Sequence, residues 1–574
     1  MTTDSYDYEV VVIGSGFGGG ILACRTSKAW PGKVLVLERG KRYPMGSFPR
    51  TPHDMGRNFW NLPDEARARP KHVSKDELHG MFDIRNFRGM NAVVCAGYGG
   101  GSLIYANVFM RPPEAVFAEG WPKSITRSGL EPYYQVAKAV LGARPIPQDG
   151  DPRRRVVRAD LFRDVARKEG RDSQLCDINV FFGNDFGKPT PIGVQEKNRY
   201  GALQTSCVYC GECDVGCNTH SKNTVDLNYL YVAEHRYGAR ILTEHLAERI
   251  VPLNAAGQDD AGADGGNGYR VHYRDLKGGR ETPVSARRVV VSAGTLGSNE
   301  LLLRCRDVFK TLPGLNDNLG KHFSGNGDFL SFVVEGKQPA DPNYGPVITQ
   351  RTDFNLFSNF DRPRAFLLED ASYPAFAAWM VEGMRPSVSH LAAIAKAIKD
   401  GLRRLFSGAS MDRIGFAMGD ILGGDMSYTS SVLLCMGLDN ARGVAGLNAA
   451  GYLEIDWPLK ENMPLYHAIL DAGERFRHQV GAKACVPMPN WWWPFRQNIT
   501  VHPLGGCRLA DSPVEGVTSA KPEEMGQVFG YKGLYVADGS IVPTALGANP
   551  IATISALSER VAEGITGRAP DADL

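Results

Sequence analysis

The sequence predicts an α/β fold built on a parallel sheet, with a second, α+β domain carried on the same chain. Three observations predict it. Tyr8 to Ile13 and Lys33 to Leu37 are continuous apolar runs, the pattern of strands buried on both faces. Between them stand a glycine cluster, Gly14–Ser–Gly16–Phe–Gly18–Gly19, and a helical stretch through Ile21, Leu22 and Cys24 that stops near Pro31–Gly32. Farther on, Arg287 to Gly294 is another buried run meeting glycine, with a helical stretch to Leu303 behind it. Residues 325 to 490 show instead many short strand-like runs, which predicts a separate substrate-binding domain.

The first unit is a complete βαβ element with the marks of dinucleotide binding. Gly14 permits the tight turn, Gly16 lets a pyrophosphate approach the backbone, and Gly19, with Gly18 beside it, allows close helix–strand packing. The helix start then offers free N–H groups and a positive dipole end to phosphates. Glu38 ends the second strand, placed to accept hydrogen bonds from ribose hydroxyls.

A second glycine cluster, Gly97, Gly99, Gly100 and Gly101 followed by Ser102, comes after the apolar Ala92–Val93–Val94. Residues without Cβ let backbone amides lie flat against a bulky planar ligand. Residues 151 to 175 read as a solvated, charge-rich helix, and 254 to 268 as a polar loop between two strands. From His390 to Phe406, Leu391, Ile394, Ile398, Leu402 and Leu405 recur at helical spacing, with Lys396, Lys399, Arg403 and Arg404 largely off that stripe. This reads as a surface helix packed on its domain or as one resting on a membrane surface.

Cys207, Cys210, Cys213 and Cys217 form a C-x2-C-x2-C-x3-C run. The spacing matches a bacterial ferredoxin run, with Asn218 where proline is usual, so the four are candidate iron–sulfur ligands; a buried reduced loop is the alternative. Zinc ranks lower, since its cysteine pairs usually flank a longer loop. Near the end, the run from Thr500 to Cys507 contains His502, Leu534 to Val536 is a strand leading to Asp538 and Gly539, and Asn549 precedes Pro550 and a closing helix. Asp538 is placed to bind a polar group of the cofactor.

Composition narrows the class. The 574 residues carry 65 Lys+Arg against 63 Asp+Glu, a formal charge of +2, which argues against binding nucleic acid by phosphate neutralisation. No stretch reaches the ~20 apolar residues of a membrane span, and the N-terminal residues lack a signal-peptide pattern. A cytoplasmic protein with reduced cysteines is expected.

The motifs GSGFGGG, GYGGGSLIYANV, VVVSAGTLGSNELLL, HPLGGC and LYVADGSIVPTALGANPIATISALSER stand in one order along almost the whole chain. On them the sequence resembles the glucose–methanol–choline (GMC) flavoprotein oxidoreductases, within these most the bacterial cholesterol oxidases with non-covalent FAD. The resemblance implies the GMC fold: a Rossmann-type FAD-binding domain from 1–130, 200–325 and 495–574, a connecting segment 131–199, and a discontinuous α+β substrate domain at 326–494. It implies FAD along both glycine loops and Asn107, with Glu38 on the adenosine ribose and His502 and Asn549 as catalytic residues at the flavin face. The second glycine loop has no histidine, which favours non-covalent FAD.

The expected reaction is oxidation of the hydroxyl of a bulky, largely apolar alcohol to a carbonyl. An imidazole can take the hydroxyl proton and an amide can orient the oxygen while hydride passes to flavin N5. The reduced flavin would return electrons to O2 or to an acceptor protein. Two alternatives stand beside it: a dehydrogenase passing electrons through an iron–sulfur cluster, as in some family members, and a non-redox FAD isomerase or lyase. Cholesterol oxidases share an active-site glutamate from the substrate domain, and no residue here is assigned to it from sequence.

Overall fold

The computed structural model describes residues 6–60, 79–378, 399, 425–492 and 494–574. Strand β1 (Tyr8–Ile13), helix α1 (Phe17–Ala29) and strand β2 (Val34–Glu38) follow one another as predicted. The valines of β1 are buried on both faces, which suits β-branched side chains. β1 lies between β2 and the strand Glu281–Val291, parallel to both. Arg240–Thr243 extends the sheet beyond β2, and Leu534–Val536 runs parallel to Val289–Val291. The earlier part of Glu281–Val291 pairs antiparallel with Tyr269–Asp275, which pairs with His245–Pro252, completing seven strands.

Five of these strands pair in parallel with one another, so their carboxyl ends share one edge. There the chain turns at Gly14 after β1, at Gly40 after β2, at Ser292 and at Ala537. Ligands of open α/β sheets bind at this edge. Behind it, α1 packs against the closing helix Ile551–Thr566. The two are joined by a buried ion pair, Arg25 Nε to Glu559 Oε2 at 2.8 Å, and Tyr229 donates its hydroxyl to the same carboxylate at 2.7 Å. Pro550 is the cap of that closing helix and stands just before its first residue.

A second sheet has six strands in the order Ala484–Pro487, Phe329–Val334, Ser431–Gly437, Phe366–Ala371, Gln350–Phe354 and Ser173–Leu175. Its side chains alternate. Phe329, Val333, Leu433, Cys435, Phe366 and Leu368 face the helices Val157–Lys168 and Met463–Val480. Leu330, Phe332, Leu367 and Leu434 face the core shared with the nucleotide-binding sheet.

The stretch 151–175 departs from its reading as one solvated helix. Its helix is limited to Val157–Lys168, and Ser173–Leu175 is the edge strand of the second sheet. Arg158 is buried, its charge met by Asp370 Oδ2 at 3.3 Å and by the carbonyls of Tyr344 and Pro346. The stretch 390–406 lies outside the described residues except for position 399. Among the described residues no helix is long and apolar enough to cross a membrane.

Candidate active site

The two glycine clusters meet at the carboxyl edge of the parallel sheet. A Cβ on Gly100 would lie 2.5 Å from the Gly16 α-carbon. Ser15 ties them together: its hydroxyl accepts from the Gly99 N–H at 3.1 Å and donates to Glu38 Oε2 at 2.5 Å. Gly14 adopts φ +99°, and a side chain there would overlap the Ser292 carbonyl. Gly18 is closed to any side chain by the Ala537 carbonyl, and Gly19 by that of Gly14. Gly101, in contrast, has open space where its Cβ would stand. Gly97 packs against Leu103 and Tyr43, and Ser102 accepts from the Val225 N–H at 3.1 Å.

Glu38 ends β2 as predicted. Its carboxylate takes the N–H groups of Ser15 and Gly40, and burial pushes its pKa up. Asp538 is also buried, accepting from the Ser298 and Ser540 hydroxyls and capping the turn at Gly539. Asn107 is fully buried at φ 72°, and apart from the Cys213 thiol its amide atoms have no hydrogen-bond partner. A buried amide left open in this way is a ready contact for a bound ligand.

A segment without a sequence motif of its own, Ser324–Gly–Asn326–Gly–Asp328, organises the loops that carry His502 and Asn549. Asn326 accepts from the N–H groups of Leu546 and Gly547, at 2.9 and 3.1 Å, and donates to the Ala548 carbonyl at 2.9 Å. It thereby holds the loop that carries Asn549. Two residues on, Asp328 Oδ2 accepts from the Val501 N–H at 2.8 Å, the His502 N–H at 3.1 Å and the Thr500 hydroxyl at 3.0 Å. Its Oδ1 stands 2.8 Å from His502 Nδ1. The segment is itself fixed by Asp439, which takes the Ser324 hydroxyl and the Gly327 N–H; burial raises the Asp439 pKa to about 6.

Glu369 completes the group. It sits on Phe366–Ala371, fully buried, and its Oε2 receives the Asn549 amide at 3.3 Å. Glu369 Oε1 and Asn549 Oδ1 have no partner. Burial raises the Glu369 pKa to about 8; the Asn549 hydrogen bond and the nearby Arg351 lower it, while Asp370 and Asp328 raise it. A carboxyl that burial keeps protonated at neutral pH, joined to a buried amide, is a candidate for a functional site. Strand alternation in 366–371 could have flagged it, since a Glu–Asp pair interrupts an otherwise apolar run. Directly across the ladder from Glu369 are Leu434 and Arg351. The partly buried Leu330, Phe332 and Leu434 make the adjoining part of the same face apolar.

The cysteine run behaves differently. Cys207, Cys213 and Cys217 are buried, Cys210 is exposed, and all four line one narrow cavity with Lys222. Lys222 donates to the carbonyls of Leu103, Tyr105 and Cys213 at 3.1, 2.8 and 2.7 Å, and burial lowers its pKa to about 8. The sulfurs of Cys207 and Cys217 accept the N–H groups of Tyr209 and Ser221. Among the described residues no group of three or more His, Cys, Asp or Glu side chains is arranged to hold a metal ion. The spacing gathers four thiols without converging them into a ligand set, so the residues do not fit an iron–sulfur cluster.

Residues 17–323 and 488–558 each match the GMC oxidoreductase family. The chain belongs to that family. It is 28% identical over 579 residues to a cholesterol oxidase of Acinetobacter baumannii, covering 98% of this chain and 94% of that one. It is 25% identical over 573 residues to the long-chain-alcohol oxidase FAO4B of Arabidopsis thaliana, covering 95% and 65%. Among solved structures, pyridoxine 4-oxidase from Mesorbium loti shares the fold with a TM-score of 0.59 at 16% identity, covering 97% and 98%.

GMC oxidoreductases carry FAD, and the residues at the sheet edge fit it. The Gly16–Gly100 contact forms a backbone cradle, the space at Gly101 is open, and the Asn107 amide has unused hydrogen-bonding capacity.

Proposed function

We propose that the protein oxidises the hydroxyl of a bulky, largely apolar alcohol, sterol-like or long-chain, to a carbonyl, with non-covalent FAD. The observation that carries this reading is that one segment, Asn326 to Asp328, grips both the Asn549 loop and His502, while Asn549 donates to the buried Glu369. When bound, FAD supplies the hydride acceptor. Gly14, Gly16, Gly18, Gly19 and Glu38 would hold its adenosine and pyrophosphate part; Gly97 to Gly101, Ser102 and Asn107 would hold the flavin part. Asp538 and Gly539 would shape the turn beside them.

His502 accepts the hydroxyl proton through Nε2, which has no partner among the described residues. Asn549 holds the substrate oxygen, fixing the carbon that loses hydride. Glu369, neutral at pH 7, offers its open oxygen to the same hydroxyl without placing a charge on the apolar face. Leu330, Phe332 and Leu434 contact the substrate body, each buried CH₂ contributing about 0.8 kcal/mol. Electrons then leave to O2, in keeping with the similarity of the chain to two oxidases.

Anaerobic mixing of the FAD-loaded enzyme with cholesterol, and separately with 1-hexadecanol, tests this. Loss of the yellow oxidised-flavin absorbance, restored by air, is expected with at least one. His502→Ala should slow the bleaching by roughly 10²–10⁴ with FAD retained. An enzyme that holds FAD yet bleaches with neither alcohol defeats the proposal and favours a non-redox FAD enzyme.

A further inference from the structure

We infer that Asp328 is the positioning residue that sets the tautomer of His502, keeping the proton on Nδ1 and the lone pair on Nε2. The inference deepens the reading of His502 as the proton acceptor and rests on it. Three features carry it. Asp328 is only 2% exposed, so water does not compete for its oxygens. Its Oδ2 already receives three donors, from Thr500, Val501 and His502. An ionised carboxylate is an acceptor only, so the ring nitrogen 2.8 Å from Oδ1 must bring the hydrogen. A neutral imidazole with Nδ1–H has its single lone pair on Nε2, the atom free to receive a substrate proton.

The arrangement makes one substitution unusually informative. In Asp328→Asn, the side-chain oxygen can keep all three donors of the 500–502 backbone loop. Its NH₂ group then faces His502 Nδ1 and can only donate. The loop stays pinned while the ring must accept at Nδ1 and carry its hydrogen on Nε2. A carboxylate that merely braces the loop would leave the imidazole untouched by this change.

The test uses FAD-loaded enzyme labelled with ¹⁵N-histidine, the His502 resonances being assigned by their loss in His502→Ala. Long-range proton–nitrogen correlations should show Nδ1–H in the wild type and Nε2–H in Asp328→Asn. The kcat for alcohol oxidation should fall roughly 10²-fold, with KM, FAD content and melting temperature little changed. Asp328→Glu should restore the wild-type tautomer and part of kcat. An Nε2–H tautomer in the wild type overturns the inference even if no variant folds. So does Asp328→Asn with wild-type tautomer and kcat. Full turnover by His502→Ala would instead sink the role of His502 while leaving the tautomer measurement to stand or fall separately.

Discussion

Asn549 donates its amide to Glu369 across 180 positions of sequence, with 3.3 Å between Nδ2 and Oε2. The contact brings the loop before the closing helix against the central part of the second sheet. It leaves one buried oxygen without a hydrogen-bond partner on each residue. Replacing Asn549 by Ala should cut the rate of flavin reduction by alcohol roughly 10²-fold, since substrate orientation is lost. Stopped-flow absorbance under nitrogen measures it. An unchanged rate would remove Asn549 from the reaction.

Glu369 also sets a pH dependence of stability. Its folded pKa of about 8 lies above the usual carboxylate value near 4.5, because burial disfavours the charge. Within that window the folded chain holds a proton that the unfolded chain releases. The stability it contributes is therefore full below about pH 4.5 and is lost as pH rises towards 8. Glu369→Gln has no such loss. Its melting temperature should gain on the wild type between pH 5 and pH 9, and a constant difference would contradict the assignment.

Gly18 and Gly101 separate packing from ligand contact. Gly18→Ala drives a methyl into the Ala537 carbonyl and should cost the apoprotein roughly 3 kcal/mol. Gly101→Ala meets open space, so the apoprotein should melt as the wild type does while FAD binds more weakly. Calorimetry of the apoproteins and FAD titration by fluorescence would compare the two. Equal melting of all three apoproteins would refute the Gly18 argument.

Arg25→Met should be among the most destabilising single changes. It strands the Glu559 carboxylate, fully buried against Tyr229, and should cost roughly 3–5 kcal/mol. Denaturant titration measures this, and a loss under about 1 kcal/mol would show that the pair carries little of the helix docking.

The parallel sheet was legible because buried strands, glycine turns and the terminal acid of β2 each leave a local trace. His502 and Asn549 stood out by their motifs. Asp328 and Glu369 did not, since their roles come from long-range partners: 174 positions to His502 and 180 to Asn549. Asn326 and Asp328 lie in a glycine-rich stretch that reads as an ordinary turn until the loops it grips are in view. The cysteine run shows the opposite limit, for regular spacing along the chain does not place sulfurs at the corners of a ligand cage. Charge misled at Arg158, whose neighbour Asp370 is supplied by a distant strand.

The pairing of Leu534–Val536 with Val289–Val291 has a bearing on biosynthesis. β1, β2 and both glycine loops leave the ribosome early, yet the Ala537 carbonyl that backs Gly18 and the amide of Asn549 come only after Leu534–Val536. Domains generally fold as they are synthesised, N-terminal parts first. The nucleotide edge begun by β1 and β2 is therefore closed by a strand made long after them, the one that brings the Ala537 carbonyl against Gly18.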